Sequence, residues 1–400
     1  MKRRVFLAAS IALAAAFTAP PAMAQTADDL FDPATVQEVR LFINSRDLRL
    51  LRENFEENTY YTADFLWRGQ RARNAGVRSR GVASRSGTKL ALRVDFDRYT
   101  SGQRFLGLRS LILKNLWQDG SMMHERLAMS LFARLGQAAS RESYCRLFIN
   151  NEYQGLYAIV ESVDAHFLAR TLGEDTGYLF SYQLADPFHG EDLGDDLGQY
   201  KRRFEPQNHE READSILYGP IRTLFREVNA DVDAVWRERV EQYIDLSQFV
   251  TQAAIEAFLA EEDGLLGING MNNFYLYRLA GTNRHRFFPW DKDSSFLLPE
   301  FSILTRADEN VIFRNAMSFP DLRELFFQVV ESAARSTAED AWLETEIGRV
   351  ADLISAAVQA DTRKPFSTEA FLESVEILKD FARLRPGLVL EQIAAAREEK

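Results

Sequence analysis

The chain has few of the residues on which small exported proteins and zinc enzymes depend. Cysteine occurs once, at Cys145, so an intrachain disulfide and a thiolate zinc cluster are both excluded. The five histidines are scattered and lack the H-x-x-x-H spacing that disposes two ligands on one helix face. The net charge of −11 disfavours general binding to nucleic acid. Stability must therefore come from a hydrophobic core, for which a hydrophobic content of 46% is sufficient.

The first 24 residues have the three parts of a signal peptide. Residues 2–4 are K-R-R, residues 5–17 form an apolar run, and A-M-A at 22–24 fits a signal-peptidase site. The apolar run is short for a membrane span, and no cysteine follows the site to carry a lipid anchor. We predict an exported protein, periplasmic or at the cell surface, with no membrane span after cleavage near Gln25.

The order of the predicted elements gives the fold class. Mixed strands come first and helices follow, which is an α+β pattern with a strand-rich N-terminal lobe and a helical C-terminal lobe. We expect a loose polar leader at 25–35, a main domain at 36–300 and a helical extension at 301–400. In that extension, helices are predicted at 320–334, 341–361, 368–384 and 386–398.

A small polar loop joins two predicted strands in V-R-S-R-G-V-A-S-R-S-G-T-K-L-A-L-R-V-D-F, residues 77–96. A glycine-containing loop of this kind lets backbone N–H groups approach phosphates closely, although an ordinary hairpin has the same pattern. Lys89 and Arg93 fall on one face of the second strand. That basic face could bind phosphate, or it could be a solvated face of the sheet.

The next strand and helix carry a lysine and a glutamate. Lys114 lies in the predicted strand 106–116, and Glu125 lies in a helix that ends near Leu135. Protein kinases pair a strand lysine with a glutamate of the following helix to position phosphates. Lys114 or Lys89 could form such a pair with Glu125, although a glutamate on a helix surface needs no special role.

The stretch 263–296 places polar residues at the ends of two aromatic strands joined by a turn at 281–283. Asp263 precedes the first strand, Asn273 opens it, and Asp291 and Asp293 follow the second. An upstream carboxylate, an amide and a downstream carboxylate are the groups that metal-dependent phosphoryl transfer requires. Asn and Asp also cap turns in many proteins, so spacing alone leaves both interpretations open.

N-N-F-Y-L-Y followed by F-F-P-W-D-K-D-S-S-F resembles the C-terminal signature of the CotH kinase family, which is named after a spore-coat protein. Three earlier blocks resemble the family in the same order, over about residues 36–296. They are R-S-R-G-V-A-S with K-L-A-L-R-V-D-F, then F-L-G-L-R-S-L-I-L-K-N-L-W-Q-D-G-S-M-M-H-E-R, then R-L-F-I-N-N-E-Y-Q-G-L-Y-A-I-V-E-S-V-D. The resemblance implies an atypical, secreted or surface-associated kinase that binds ATP and Mg²⁺.

The resemblance also implies roles for individual residues. Asp263 would be the catalytic carboxylate, while Asn273 and Asp291 would hold the metal, with Asp293 as a second candidate. The residues expected at the nucleotide are Lys89, Arg93, Lys114, Glu125 and Glu161. Which lysine contacts phosphate stays open, because the family commonly has Pro-Lys where this chain has Thr88-Lys89. The segment from Asp263 to Asn273 is also longer than the D-x-x-x-x-N of ordinary kinases.

The sequence thus predicts an exported kinase that uses ATP with Mg²⁺, or Mn²⁺, to phosphorylate Ser or Thr of an envelope or surface protein. Its expected partners are a nucleotide and a protein substrate, without nucleic acid. Because the periplasm holds little ATP, the source of nucleotide is a separate question. The alternative is a non-catalytic envelope or surface-assembly protein that retains the fold, in which the same Asp and Asn residues are structural.

Overall fold

The computed structural model describes residues 25–398, so the predicted signal peptide lies outside the described residues. Seven strands form a closed barrel in the order β1-β2-β3-β4-β5-β7-β6. Strand β1 pairs in parallel with β6, and the other neighbours are antiparallel. The strands are β1 Val36–Ile43, β2 Tyr61–Trp67, β3 Gln70–Ser79, β4 Leu92–Asp95, β5 Ser110–Lys114, β6 Glu142–Ile149 and β7 Glu152–Glu161.

The barrel is filled by a hydrophobic core of its own. Alternate residues of β1, namely Val39, Leu41 and Ile43, are buried in it, as the period of two along a strand requires. Phe65, Phe96 and Phe105 stack against one another in the same core, with ring centroids 4.9 to 5.3 Å apart. Aromatic contacts of this kind stabilise a core beyond the area that they bury.

The segment 25–35 was expected to be a loose leader, but it packs against the barrel. It contains helix α1, Ala27–Leu30, and both Leu30 and Phe31 are buried. The carbonyl of Leu30 accepts a hydrogen bond from Ser143 Oγ at 2.7 Å. The polar residues of the segment predict a loose leader, but the burial of two apolar side chains is enough to anchor a short helix.

The second sheet has four strands in the order β11-β10-β8-β9. Its strands are β8 Tyr178–Tyr182, β9 Phe204–Pro206, β10 Phe274–Arg278 and β11 His285–Pro289. The predicted aromatic hairpin is confirmed, since β10 and β11 pair from Phe274 opposite Pro289 to Arg278 opposite His285. This hairpin places residue 273 and residue 291 at the same end of the sheet.

The remaining described elements are mainly helices, so the mixed helix and strand content is confirmed. These helices are α2 Ser45–Glu53, α3 His124–Arg134, α4 Ala165–Leu172, α5 Leu197–Lys201, α6 Asp214–Leu217, α7 Gly219–Val228, α8 Trp236–Val240, α9 Leu246–Phe258, α10 Val311–Ala316, α11 Pro320–Ala338, α12 Trp342–Ala360 and α13 Thr368–Glu398. Except for α2, whose Leu51 belongs to the core of the barrel, they form a second core with the four-stranded sheet. Across residues 25–398, no helix combines the length and apolar composition needed to cross a bilayer.

Two helices predicted at 368–384 and 386–398 are one helix, α13, with Pro386 inside it. A proline normally interrupts a helix because it has no N–H and crowds the preceding turn. Tertiary contacts hold α13 together at this point. The buried guanidinium of Arg385 donates to the carbonyls of Ala257 at 2.6 Å, Phe258 at 2.9 Å and Pro299 at 2.8 Å.

Candidate active site

A cleft of about 580 Å³ lies between the barrel and the four-stranded sheet. This volume is within the usual range for small-molecule sites. The barrel side includes Arg80 and Ser84 from the loop between β3 and β4, Arg93 from β4 and Ile112 from β5. The opposite side includes Asp263, Asn273, Tyr275, Asp291 and Asp293. The predicted catalytic and metal residues therefore share one cleft with Arg93.

Lys114 ends β5 beside this cleft and forms two ion pairs. Its ammonium contacts the carboxylates of Glu125, on α3, and Asp291, which follows β11. Burial lowers the pKa of Lys114, but the carboxylates of Asp291 and Glu125 outweigh it and the pKa is raised. Burial raises the pKa of Glu125. Of the two lysines considered from sequence, Lys114 is the one that the fold pairs with Glu125.

The side chain of Asp291 favours its charged form and is partly exposed to the cleft. Burial raises its pKa, whereas Lys114 and then Arg80 lower it, and the net pKa lies below the usual value. About a third of the side chain, 32%, is exposed towards the cleft. Burial and then the neighbouring Asp291 raise the pKa of Asp293 well above its ordinary value. The two aspartates thus differ, with Asp291 suited to bind a cation and Asp293 suited to hold a proton.

Asp263 and Asn273 are neighbours in space despite their long separation in sequence. Asn273 Nδ2 donates to Asp263 Oδ2 at 2.9 Å and to the Asp263 carbonyl at 3.0 Å. Asn272 Nδ2 donates to both carboxylate oxygens of Asp263 at 3.0 Å. The intervening residues fold into a compact loop, so the extra length does not separate the two side chains. Asn273 and Asp291 both have positive φ, 54° and 52°, a conformation that Asn and Asp tolerate better than most residues.

A buried ion pair that sequence analysis missed joins the two halves of this site. Glu256, on α9, pairs with Lys292 at 2.8 Å and accepts a hydrogen bond from the backbone N–H of Leu265 at 2.6 Å. A Cβ at Gly264 would overlap Glu256 Oε2, so any other residue there would displace this carboxylate. One carboxylate therefore binds the loop after Asp263 to the residue after Asp291. Glu256 is the one charged residue of α9, and this was the available sequence clue.

Lys89 and Glu161 are not brought to the cleft. Lys89 Nζ lies 2.7 Å from Asp361 Oδ2 inside the barrel region, and neither side chain is exposed. Glu161 is paired with Arg141 at 2.7 Å and Arg170 at 2.6 Å. Although burial raises the pKa of Glu161, hydrogen bonds from His166, Arg141 and Arg170 lower it to about 2. Both residues are occupied by partners within the protein, so the expected contacts with nucleotide do not fit these positions.

The cleft can provide oxygen ligands for a hard cation. Within residues 25–398, no three His, Cys, Asp or Glu side chains converge closely enough to hold a metal by themselves. The Asn273 amide and the Asp291 carboxylate offer two oxygen-bearing groups in one cleft. Mg²⁺ is commonly held by one or two carboxylates together with substrate phosphates and water. The donor set therefore fits a magnesium ion that arrives with a nucleotide.

Residues 77–389 match the family model described as CotH kinase protein. The chain belongs to the CotH kinase protein family. The match includes every residue of the cleft discussed above and extends beyond residue 300 to α13. Among curated relatives, the chain is 21% identical over 361 residues to the inner spore coat protein H of Bacillus subtilis (strain 168). That alignment covers 89% of this chain and 97% of the relative.

Two solved kinase structures are also similar to this CotH kinase protein. One is the Helicobacter pylori proinflammatory kinase CtkA, with 12% identity, a TM-score of 0.33, and coverage of 77% of this chain and 94% of that chain. The other is the Golgi casein kinase, with 7% identity, a TM-score of 0.30, and coverage of 92% of this chain and 77% of that chain. These likenesses are distant, and the assignment to the family depends on the sequence match.

Proposed function

We propose that this chain is an exported protein kinase that transfers the terminal phosphate of ATP to Ser or Thr hydroxyls. The barrel and the helix-rich remainder would act as its two lobes, with the nucleotide in the cleft between them. The proposal depends chiefly on one observation. The Lys114–Glu125 pair reaches Asp291 in a cleft that also holds Asp263 and Asn273.

The residues of the cleft have separate tasks in this proposal. Lys114, held by Glu125, would bind phosphate oxygens. Asn273 and Asp291 would hold a magnesium ion, which neutralises charge on the phosphates when bound. Asp263, held in place by the amides of Asn272 and Asn273, would accept the proton of the attacking hydroxyl.

The transfer is balanced in atoms and charge. The acceptor oxygen forms a bond to the terminal phosphorus, and the bond from that phosphorus to the bridging oxygen breaks with its electron pair leaving on ADP. The hydroxyl proton passes to Asp263. In a reaction of this type the protein contributes positioning and electrostatic stabilisation rather than covalent chemistry.

The acceptor is proposed to be a protein at the cell envelope or surface. The N-terminal sequence has the features of an export signal. The curated relative is named as a protein of the inner spore coat, which is a surface structure. Both observations favour a substrate outside the cytoplasm, and neither identifies it.

Transfer of radiolabel from the terminal phosphate of ATP tests the proposal. The chain from residue 25 to 400 would be incubated with Mg-ATP and a general Ser/Thr acceptor protein, beside Asp291→Ala and the control Asp308→Ala. Asp308 is exposed and lies outside the cleft. We expect labelling by the unaltered chain and by the control, and background labelling by Asp291→Ala.

A melting experiment distinguishes an inactive protein from one that lacks a suitable acceptor. A nucleotide at 100 times its dissociation constant should stabilise the folded chain by about 2.7 kcal/mol. Labelling that survives Asp291→Ala would refute the proposed site. A chain that neither labels any acceptor nor melts higher with Mg-ATP would instead be the non-catalytic assembly protein.

A further inference from the structure

Arg80 contributes a guanidinium group to the lining of the cleft. It directly follows β3, at the start of the polar loop, and is partly exposed to the cleft. Among residues 25–398, no carboxylate forms a salt bridge with its guanidinium, and its side-chain N–H groups make no hydrogen bond. Its backbone N–H donates to the carbonyl of Ala91 at 3.0 Å, so the base of the side chain is fixed.

Two other arginines of the cleft, Arg78 and Arg85, are occupied within the protein. Arg78 donates to Asn58 Oδ1 at 2.8 Å and to the Ser79 carbonyl at 2.9 Å. Arg85 donates to the Gly81 carbonyl and to Asn58 Oδ1, both at 2.6 Å, which fastens the loop. These guanidinium groups hold the polar loop in place, so they have fewer N–H groups left for a ligand than Arg80 has.

The indole of Trp290 orients Arg80. The guanidinium carbon lies 5.6 Å from the centroid of that ring, and Lys114 Nζ lies 5.9 Å from the same ring. A guanidinium held against an aromatic ring retains free N–H edges, which match the oxygens of a phosphate in pairs. Trp290 immediately precedes Asp291, so the stacked cation lies next to the proposed metal ligand.

The distribution of charge favours an anion at this place. Lys114 forms ion pairs with Glu125 and Asp291, whereas Arg80 acts on Asp291 only through space and forms no ion pair within the described residues. A phosphate group between Arg80 and the proposed metal position would accept hydrogen bonds from the guanidinium N–H groups of Arg80, which have no acceptor within the described residues. An arginine that contacts the transferred phosphoryl group lowers the barrier by stabilising charge in the transition state.

We propose that Arg80 binds the terminal phosphate of the nucleotide in this cleft, as a phosphate-binding arginine supplied by the chain itself. This inference depends on the proposed kinase function and adds one residue to it. Arg80 lies across the polar loop from Lys89, which was one of the two lysines considered for phosphate from the sequence.

Calorimetric titration of residues 25–400 with Mg-ATP and with Mg-ADP tests the inference. We expect Arg80→Met to weaken binding of Mg-ATP by about 10- to 100-fold, the usual effect of losing charged hydrogen bonds, and binding of Mg-ADP by less than about twofold. Arg80→Lys keeps the positive charge but lacks the planar guanidinium group, so its affinity for Mg-ATP should lie between those of the unaltered chain and Arg80→Met. Arg73→Met is the matched control, since it removes the same charge from an exposed position of β3 that does not line the cleft, and it should change neither affinity appreciably.

The outcomes separate this inference from the proposed function. An unaltered chain that binds neither nucleotide overturns both. An unaltered chain that binds Mg-ATP, with an Arg80→Met variant that binds it equally well, overturns the role of Arg80 alone. Equal weakening of Mg-ATP and Mg-ADP also overturns it, because Arg80 would then contact an inner phosphate. Arg80→Lys provides the same comparison if the methionine variant does not fold.

Discussion

Methionine substitutions at Lys89 and Lys114 should affect different properties of the protein, although the two lysines are hard to distinguish in the sequence. Lys89 is enclosed with Asp361, and both side chains are 0% exposed. Lys114 reaches Asp291, which is open to the cleft. We therefore expect Lys89→Met to reduce the stability of the fold and Lys114→Met to reduce phosphate transfer.

The contacts of Asp361 set the size of the effect at Lys89. The Lys89→Met substitution leaves the Asp361 carboxylate buried, with hydrogen bonds from the backbone N–H groups of Leu156 at 3.0 Å and Arg363 at 2.9 Å. Removing one partner of a buried ion pair typically costs about 3–5 kcal/mol. Adding Asp361→Asn to the variant should recover part of this loss, because no charge then stays buried without its counterion.

The loss of stability should be smaller at Lys114. Its partner Glu125 can take up a proton, since burial already raises the pKa of that carboxyl, and Asp291 can be hydrated from the cleft. Activity should fall about 100-fold or more, the usual loss when one electrostatic stabiliser of a transition state is removed.

Urea denaturation and initial rates of label transfer, measured on the same preparations, would distinguish the two lysines. We expect Lys89→Met to unfold at a lower urea concentration with a nearly unchanged rate constant below its transition. We expect the reverse for Lys114→Met. A Lys89→Met variant with normal stability and a lost affinity for Mg-ATP would refute the assignment of the two lysines.

Two further predictions concern buried groups outside the Lys114 pair. Glu256→Gln should lower kcat by at least about tenfold, because a neutral amide no longer holds Lys292 and the N–H of Leu265 together. Steady-state kinetics that compare the change in kcat with the change in KM would measure this effect. His285 should make stability depend on pH, since burial lowers its pKa to about 4. Its unfolded form takes up a proton near pH 6.5, so stability should fall by about 3 kcal/mol between pH 6.5 and pH 4, as urea titrations at several pH values would show.

Each of these predictions has a matched control. Glu256→Gln combined with Lys292→Met should regain stability without regaining kcat, because the buried charge is removed but the connection is not restored. Equal kcat in Glu256→Gln and the unaltered chain would contradict the role of this carboxylate. His285→Asn can still donate to the Tyr243 carbonyl, which His285 Nδ1 approaches at 2.8 Å, and does not titrate. An identical pH dependence in His285→Asn would contradict the second prediction.

Local patterns were sufficient to predict part of the fold. The hairpin formed by β10 and β11 has its strands and its turn within sixteen residues, 274–289, so the pattern of aromatic residues and turn residues specifies it. Closure of the barrel could not be found in this way. It depends on the parallel pairing of β1 with β6, where Val36 lies opposite Tyr144, and no local pattern records a contact over that distance.

The candidate site shows the same limit. Asp263, Asn273 and Asp291 were predicted to lie together because a short stretch contains all three, and the fold places them in one cleft. Lys89 was misplaced because its partner, Asp361, is 272 residues away in the chain. Glu161 was likewise assigned to the nucleotide, and the arginines that neutralise it are Arg141, directly before β6, and Arg170 of α4. A charged residue can be located from sequence, but its partner is decided by the tertiary fold.

The contacts of the C-terminal helices explain why the site depends on residues far beyond it. Asp361, after α12, is paired with Lys89 next to the barrel, and Arg385 of α13 binds the carbonyl groups at the end of α9. Glu346 of α12 lies 3.5 Å from Arg126, the residue next to Glu125 on α3. The same helices thus hold the barrel, the helix with the lysine partner and the segment before Asp263. These contacts are buried or partly buried, and removal of the helices would leave their partners without them. We infer that residues 301–398 are part of the unit that positions the cleft, and the family match through residue 389 agrees with this.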